Sequence, residues 1–161
     1  EIYQAWSIDK PSVLSGFELL QVDDVIEGPR ADMFREFFLN QLPNERVVFD
    51  KSRNEPAGLS LLGLGVNGHV AFHEPGLSED FFSGEVELSP ATCRQLDISD
   101  GTRGFTFGTG CFNLSYGVLL IVRGLEKQEA YTRFLDKDSD IPAVALQNSD
   151  NLTVLVESEL S

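Results

Sequence analysis

The sequence predicts an α/β fold: a Rossmann-like, mostly parallel sheet flanked by helices. Three observations carry this. Short apolar runs rich in Val, Leu and Ile alternate with segments of helical periodicity. The run Val118-Leu119-Leu120-Ile121-Val122 shows no polar alternation, which is the pattern of a strand covered on both faces. The run that ends at Leu64 turns abruptly into a glycine-rich corner, Gly63-Leu64-Gly65-Val66-Asn67-Gly68, followed at once by His69, His73 and Glu74. With 161 residues the chain reads as one α/β domain, 1–161, large enough to bury a sizeable core.

Taken in order, residues 1–6 read as the last turns of a helix whose start is missing. Residues 7–16 read as a connector carrying Pro11 and Gly16. Residues 17–22 have a strand pattern that ends in Asp23-Asp24, where a strand of an open α/β sheet meets its ligand. Met33, Phe34, Phe37, Phe38 and Leu42 recur at helical spacing, so 31–42 is a helix, closed by Pro43. Residues 47–49 form a short strand, and 51–58 a polar loop with Pro56 and Gly58. No helix separates Phe49 from the strand at Leu59, and parallel neighbours need a crossover of about a dozen residues. Either these two strands are not parallel neighbours or residues are absent between them. Residues 59–64 are then the central strand. Residues 85–88 are a candidate strand, and 89–92 a helix start or turn. Phe105 and Phe107 alternate within 101–110. Gly124 ends the strand over 118–122. A helix follows over 126–135, with Lys127 in its first turn, and 152–156 is the last strand.

The net charge of −14 argues against nucleic acid or an anionic membrane as a partner. It also requires a locally basic pocket for any anionic substrate. Cys93 and Cys111 lack close spacing, which predicts free thiols in a reducing, cytoplasmic compartment, with a disulfide as the alternative. No apolar run reaches the ~18 residues of a membrane span. No signal peptide opens the chain. The first residue is Glu1 rather than Met, so the N-terminus is expected to be incomplete.

The chemistry concentrates in the corner. His69 and His73 are the only histidines in the chain, and histidine titrates nearest neutral pH. Gly68 lets the backbone turn sharply and so exposes the next side chain. Glu74 is expected to raise the pKa of His69 and to orient it, which suits a group that both takes and gives a proton. Two other readings of the same residues are weaker. The glycines match a dinucleotide-binding pattern, but Pro75-Gly76 leaves no room for the helix this needs. His69, His73 and Glu74 have the wrong order for a zinc helix, so no metal is expected. Asp23-Asp24 is either a solvated turn or a carboxylate site. Lys127 at a helix start, where a cation is mildly unfavourable, is either a solvated surface lysine or faces, with the helix's free amides, an anion such as phosphate. Arg94 and Arg103 are further cations.

The stretch Leu-Gly-x-Gly-x-x-Gly-His-x-Ala-Phe-x-Glu-Pro, residues 62–75, resembles the signature of the glucosamine-6-phosphate deaminase and galactosamine-6-phosphate isomerase family, relatives of the 6-phosphogluconolactonases. Residues 17–28, 104–115 and 118–135 look like further segments of that family, so the resemblance runs over nearly the whole chain. It implies isomerisation of a 6-phospho-2-amino sugar to the 6-phospho-ketose with loss of ammonia, without cofactor or metal. Asp23 matches the base that moves a proton from C2 to C1. His69 matches the histidine that assists ring opening, and Glu74 the carboxylate that tunes it. Lys127 matches the lysine that holds the phosphate. Asp24, Gly68, His73 and Arg94 are the remaining candidates for substrate contacts. Asn67 stands in the ring-opening relay where the deaminases usually carry aspartate, and an amide can position but cannot accept a proton. His73 stands where asparagine is common. These two departures lean towards the galacto sugar. The family's N-terminal phosphate loop has no counterpart in the chain. The implied partner is a small phosphosugar, and assembly with copies of itself stays open.

Two rival functions remain. One is a 6-phosphogluconolactonase-like hydrolase, which shares Gly-x-x-Gly-His but continues differently after it. The other is a sugar-phosphate-binding sensor that has lost catalysis through Asn67.

Overall fold

The computed structural model describes residues 17–42 and 47–160. The expected helix end at 1–6, the connector at 7–16 and the stop at Pro43 lie outside them. Among the described residues fourteen elements follow one another. They are β1 (Leu19–Leu20), β2 (Asp23–Val25), α1 (Met33–Gln41), β3 (Val47–Val48), β4 (Leu59–Gly63), β5 (Ser83–Glu87), α2 (Pro90–Leu96), β6 (Arg103–Phe107), α3 (Thr109–Phe112), β7 (Gly117–Val122), a 3₁₀ turn (Leu125–Lys127), α4 (Gln128–Leu135), a 3₁₀ segment (Pro142–Asn148) and β8 (Leu152–Val156).

Strand order explains what the sequence left odd around Phe49. β3 pairs in parallel with β1, whereas β4 pairs in parallel with β7. The two strands are not neighbours, so no crossover helix is needed between them. β4, β7 and β8 form a parallel sheet with β7 in the middle. The strand expected to be central, β4, therefore pairs on one side only among the described residues. A second sheet, ordered β2-β6-β5, is antiparallel. It places Asp23 and Asp24 inside a strand, opposite Thr106 and Phe105, rather than at the end of a parallel one.

The apolar runs account for the core. On β7, Val118, Leu120 and Val122 are buried, while Leu119 and Ile121 on the other face are half-buried. They pack with Leu62, Phe105, Phe107, Phe112, Phe134 and Leu146. Each fully buried aliphatic side chain contributes about 1.5–3 kcal/mol. A surface ion pair such as Arg103–Glu85, at 2.8 Å with both partners about half exposed, contributes roughly 0–1 kcal/mol. Burial of β7 thus outweighs the charges that decorate the sheets. A smaller cluster of Val25, Phe72, Val86, Leu88 and Cys93 lies beneath α1, where Phe34 packs on Phe72 with ring centroids 5.7 Å apart. Cys93 and Cys111 are both buried free thiols. Among the described residues no helix is long and apolar enough to cross a membrane.

Helix α1 has an unusual start. Its N-cap, Asp32, has a left-handed backbone (φ 60°) and makes no side-chain cap. The free amides are taken by Asp24 instead, ten and eleven residues earlier. Its Oδ1 accepts from Phe34 N–H at 3.0 Å and its Oδ2 from Arg35 N–H at 2.9 Å. Val25 N–H and Gln21 Nε2 complete the set at 2.9 and 2.7 Å. A buried anion at the positive end of a helix joins β2 to α1. Asp24→Asn replaces one acceptor with an NH₂ facing N–H donors. It is expected to lower stability by about 2–4 kcal/mol, read as a lower urea midpoint with an unchanged slope. An unchanged midpoint would show that Asp24 does not hold α1.

Candidate active site

The corner after β4 is a tight turn closed on itself. Gly68 N–H donates to Gly65 O at 3.0 Å, and Gly65 N–H to His69 O at 2.8 Å. Gly68 has φ +82°, and a Cβ there would lie 2.5 Å from the Cβ of Ile141. Both conformation and space therefore demand glycine. The carbonyl of Gly68 accepts from Ala143 N–H at 2.9 Å, which pins the turn to the 3₁₀ segment Pro142–Asn148. The imidazole of His69 lies against Gly65, where a Cβ would sit 2.4 Å from the ring.

Buried Glu74 gathers the cluster. Its Oε2 accepts from Asn67 Nδ2 at 3.1 Å and faces His69 Nδ1 at 3.8 Å. Its Oε1 accepts from Ser89 N–H at 3.2 Å and from the Thr92 hydroxyl at 2.5 Å. Thr92 Oγ1 is also 3.4 Å from His69 Nδ1. The other end of Asn67 is used as well: Oδ1 accepts His69 N–H at 3.2 Å. Asn67 is thus a positioning group.

Burial lowers the pKa of His69, the positive charge of Lys127 lowers it further, and Glu74 only opposes them. The expected upward shift is overturned because desolvation of the imidazolium outweighs the carboxylate. His69 is therefore a neutral base at pH 7. Burial lowers the pKa of Lys127 too. Asp23 keeps some exposure as a residue, yet its carboxyl is desolvated. Burial, with Asp24 beside it, raises its pKa from the usual 3.8 to about 7. No described residue donates a hydrogen bond to it.

Four candidates for substrate contacts are engaged within the fold or lie away from the Glu74 cluster. The Asp24 carboxylate is fully buried and holds α1. Gly68 spends both backbone groups inside the fold. His73 is buried against Phe81 and Gly108, and its Nδ1 accepts Thr109 N–H at 3.1 Å. Arg94 is exposed on α2 and makes no hydrogen bond or ion pair with the described cluster residues. Arg103 is occupied by Glu85 at the surface. A surface cleft of about 730 Å³ between residues 27–30 and 97–102 contains none of the cluster residues either.

Thr92 and Ser89 join the cluster with no functional signal in the sequence, and Gly65 matters beyond its place in the glycine pattern because the His69 ring lies on it. Ser89 caps α2, accepting Thr92 N–H at 3.2 Å, with Pro90 in the first turn. Ser-Pro-x-Thr was legible as a helix start, but its proximity to His69 depends on tertiary contact. The second sheet links the backbone of Asp23 to the chain just after the glycine corner. Asp23 is paired with Thr106, whose hydroxyl accepts Phe72 N–H at 3.1 Å.

No protein-family model matches the chain. Curated relatives do. The chain is 34% identical over 113 residues to a glucosamine-6-phosphate deaminase of Bacillus cereus, a match covering 65% of this chain and 43% of that one. It is 31% identical over 140 residues to the enzyme of the same name from Streptococcus agalactiae, covering 76% and 60%. The chain is a relative of the glucosamine-6-phosphate deaminases. It spans about half the length of the curated relatives it matches. Among solved structures, a monomeric glucosamine-6-phosphate deaminase superposes with a TM-score of 0.78 at 20% identity, over 99% of this chain and 81% of that one. The 6-phosphogluconolactonase of Trypanosoma brucei reaches 0.70 at 15% identity, over 98% and 79%. The fold is therefore the Rossmann-like α/β fold shared by both.

Two outcomes follow from the geometry of this deaminase relative. Gly65→Ala is expected to displace the His69 ring, read as shifted His69 imidazole resonances, while the thermal midpoint falls by no more than a few degrees; unshifted resonances would show that the ring does not lie against Gly65. For Asp23 the sign is set by its raised folded pKa. The favourable contribution is complete below pH ~4 and is lost as pH rises through about 7, because the unfolded chain releases the proton first. Asp23→Asn should therefore match the wild type at pH 4 and be the more stable of the two at pH 8 by chemical denaturation. Equal stability at both pH values would mean that the carboxyl is not desolvated.

Proposed function

We propose that the protein bearing this chain is an aldose–ketose isomerase/deaminase of 6-phospho-2-amino sugars, acting in the cytoplasm in amino-sugar breakdown. The observation that supports it best is a pair of proton carriers of opposite kind. Asp23 is a carboxyl whose pKa lies near 7, and His69 is a neutral imidazole held by Glu74 and Thr92. A general base near the working pH combines the right protonation state with driving force. In this reading His69 assists ring opening at the anomeric oxygen. Asp23 takes the proton from C2 and returns it at C1, and water replaces the amino group at C2, which leaves as ammonia. Atoms balance as amino sugar plus water giving ketose plus ammonia. Lys127 supplies the cation for the 6-phosphate.

The leaning towards the galacto sugar rested on Asn67 and His73, and His73 is buried away from solvent. Both epimers are therefore assayed. The full-length protein, incubated with galactosamine-6-phosphate and with glucosamine-6-phosphate, is expected to release ammonia from at least one. Turnover should rise as pH passes through about 7 and vanish in Asp23→Asn. No ammonia from either sugar sinks the reading. Acid release from 6-phosphogluconolactone would favour the hydrolase, and tight binding without turnover the sensor.

A further inference from the structure

The sequence suggests that His69 pairs directly with Glu74. In the structure that contact is 3.8 Å, longer than a hydrogen bond, and the Thr92 hydroxyl lies between the two groups. A threonine hydroxyl has one proton to give. Thr92 Oγ1 is 2.5 Å from Glu74 Oε1, an acceptor that also takes Ser89 N–H, so the proton goes there. Ser89 Oγ accepts Thr92 N–H and directs its own proton to Thr92 Oγ1 at 3.2 Å. Thr92 therefore meets His69 Nδ1, at 3.4 Å, with a lone pair. Glu74 Oε2 faces the same nitrogen and is likewise an acceptor. Nδ1 must carry the hydrogen.

We propose that Thr92 is a positioning residue that fixes His69 in the Nδ1–H tautomer as a bridge to Glu74, leaving Nε2 as the nitrogen that accepts the proton. The functional part of this rests on His69 being the proton-transfer group proposed above; the tautomer does not. No described residue hydrogen-bonds Nε2, and the ring face lies on Gly65, so the nitrogen is free for a ligand hydroxyl. When Nε2 takes a proton, Nδ1–H strengthens its bond to Thr92, which in turn gives more firmly to Glu74. Each link polarises the next. Thr92 is buried in the first turn of α2, and its hydroxyl is held by Ser89 and Glu74.

The chain supplies its own control. His73 Nδ1 accepts Thr109 N–H, so His73 must be the opposite tautomer, with hydrogen on Nε2. ¹⁵N spectra of the histidine-labelled full-length protein, taken where both rings are neutral, are expected to show one Nδ1–H and one Nε2–H imidazole. His69→Gln assigns the first. Finding His69 as Nε2–H overturns the proposal without any Thr92 variant having to fold. In Thr92→Val, His69 should become a mixture of tautomers. Ammonia release should show kcat lowered at least about tenfold, with KM kept within about threefold. Thr92→Ser should restore both. A Thr92→Val protein with wild-type tautomer and kcat overturns the proposal. A wild-type protein that releases no ammonia overturns the functional reading instead, while the spectra still decide the role of Thr92.

Discussion

A single buried carboxylate organises this molecule. Glu74 lies at the end of a turn that has no regular secondary structure of its own. An isolated buried charge would cost several kcal/mol, so its neighbours must be donors. They are drawn from three places: Asn67 in the glycine corner, Ser89 at the cap of α2, and Thr92 in the first turn of that helix. Satisfying Glu74 therefore docks α2 on the corner. The docking in turn fixes His69, whose backbone N–H is held by Asn67 and whose ring is confined between Gly65 and Thr92. Stability and chemistry share one set of bonds here, and the histidine inherits its position from an acid it does not touch closely.

Electrostatics divide along the same line. The whole chain carries −14, a field that repels a phosphosugar. Screening cuts that field off within about 8 Å at physiological salt, so charges near the site decide. Lys127 is near enough to His69 to depress its pKa, and it is itself partly desolvated. A cation that leaves water gains more from an anion than a solvated one does. Burial is thus the leading cause of both lowered pKa values, and under the proposed function the same desolvation favours a phosphate beside Lys127.

Much of the fold was legible because it rests on local patterns. The apolar run at β7, the helical spacing of Met33, Phe34, Phe37 and Phe38, and the glycine corner all register in a short window of sequence. The antiparallel sheet was not legible. Whether Asp23-Asp24 sits at a strand end or inside β2 is decided by pairing with β6, about 80 residues away. Adjacent residues can also serve unrelated ends. Asp23 and Asp24 look equivalent in sequence, yet a strand turns successive side chains to opposite faces. One carboxyl reaches the amides of α1, and the other meets no donor among the described residues. The two histidines separate in the same way. His73 lies four residues beyond His69 and would share its face on a helix, but the segment is a turn. His73 is consequently buried as an acceptor for Thr109.

Asn67 shows how a departure from a pattern can be absorbed. An aspartate at this place would keep the contact to His69 N–H, because a carboxylate oxygen accepts as well as an amide oxygen does. It would fail at the other end, where Asn67 Nδ2 donates to Glu74 at 3.1 Å. Two carboxylates that close repel unless they share a proton. The amide avoids this and leaves Glu74 with donors on both oxygens. A corner decaying after loss of catalysis would be expected to leave one end of the new side chain idle. Here both ends are bonded, each to a group that positions His69. The substitution therefore fits the function proposed above, in which His69 carries the proton and the surrounding groups only hold it.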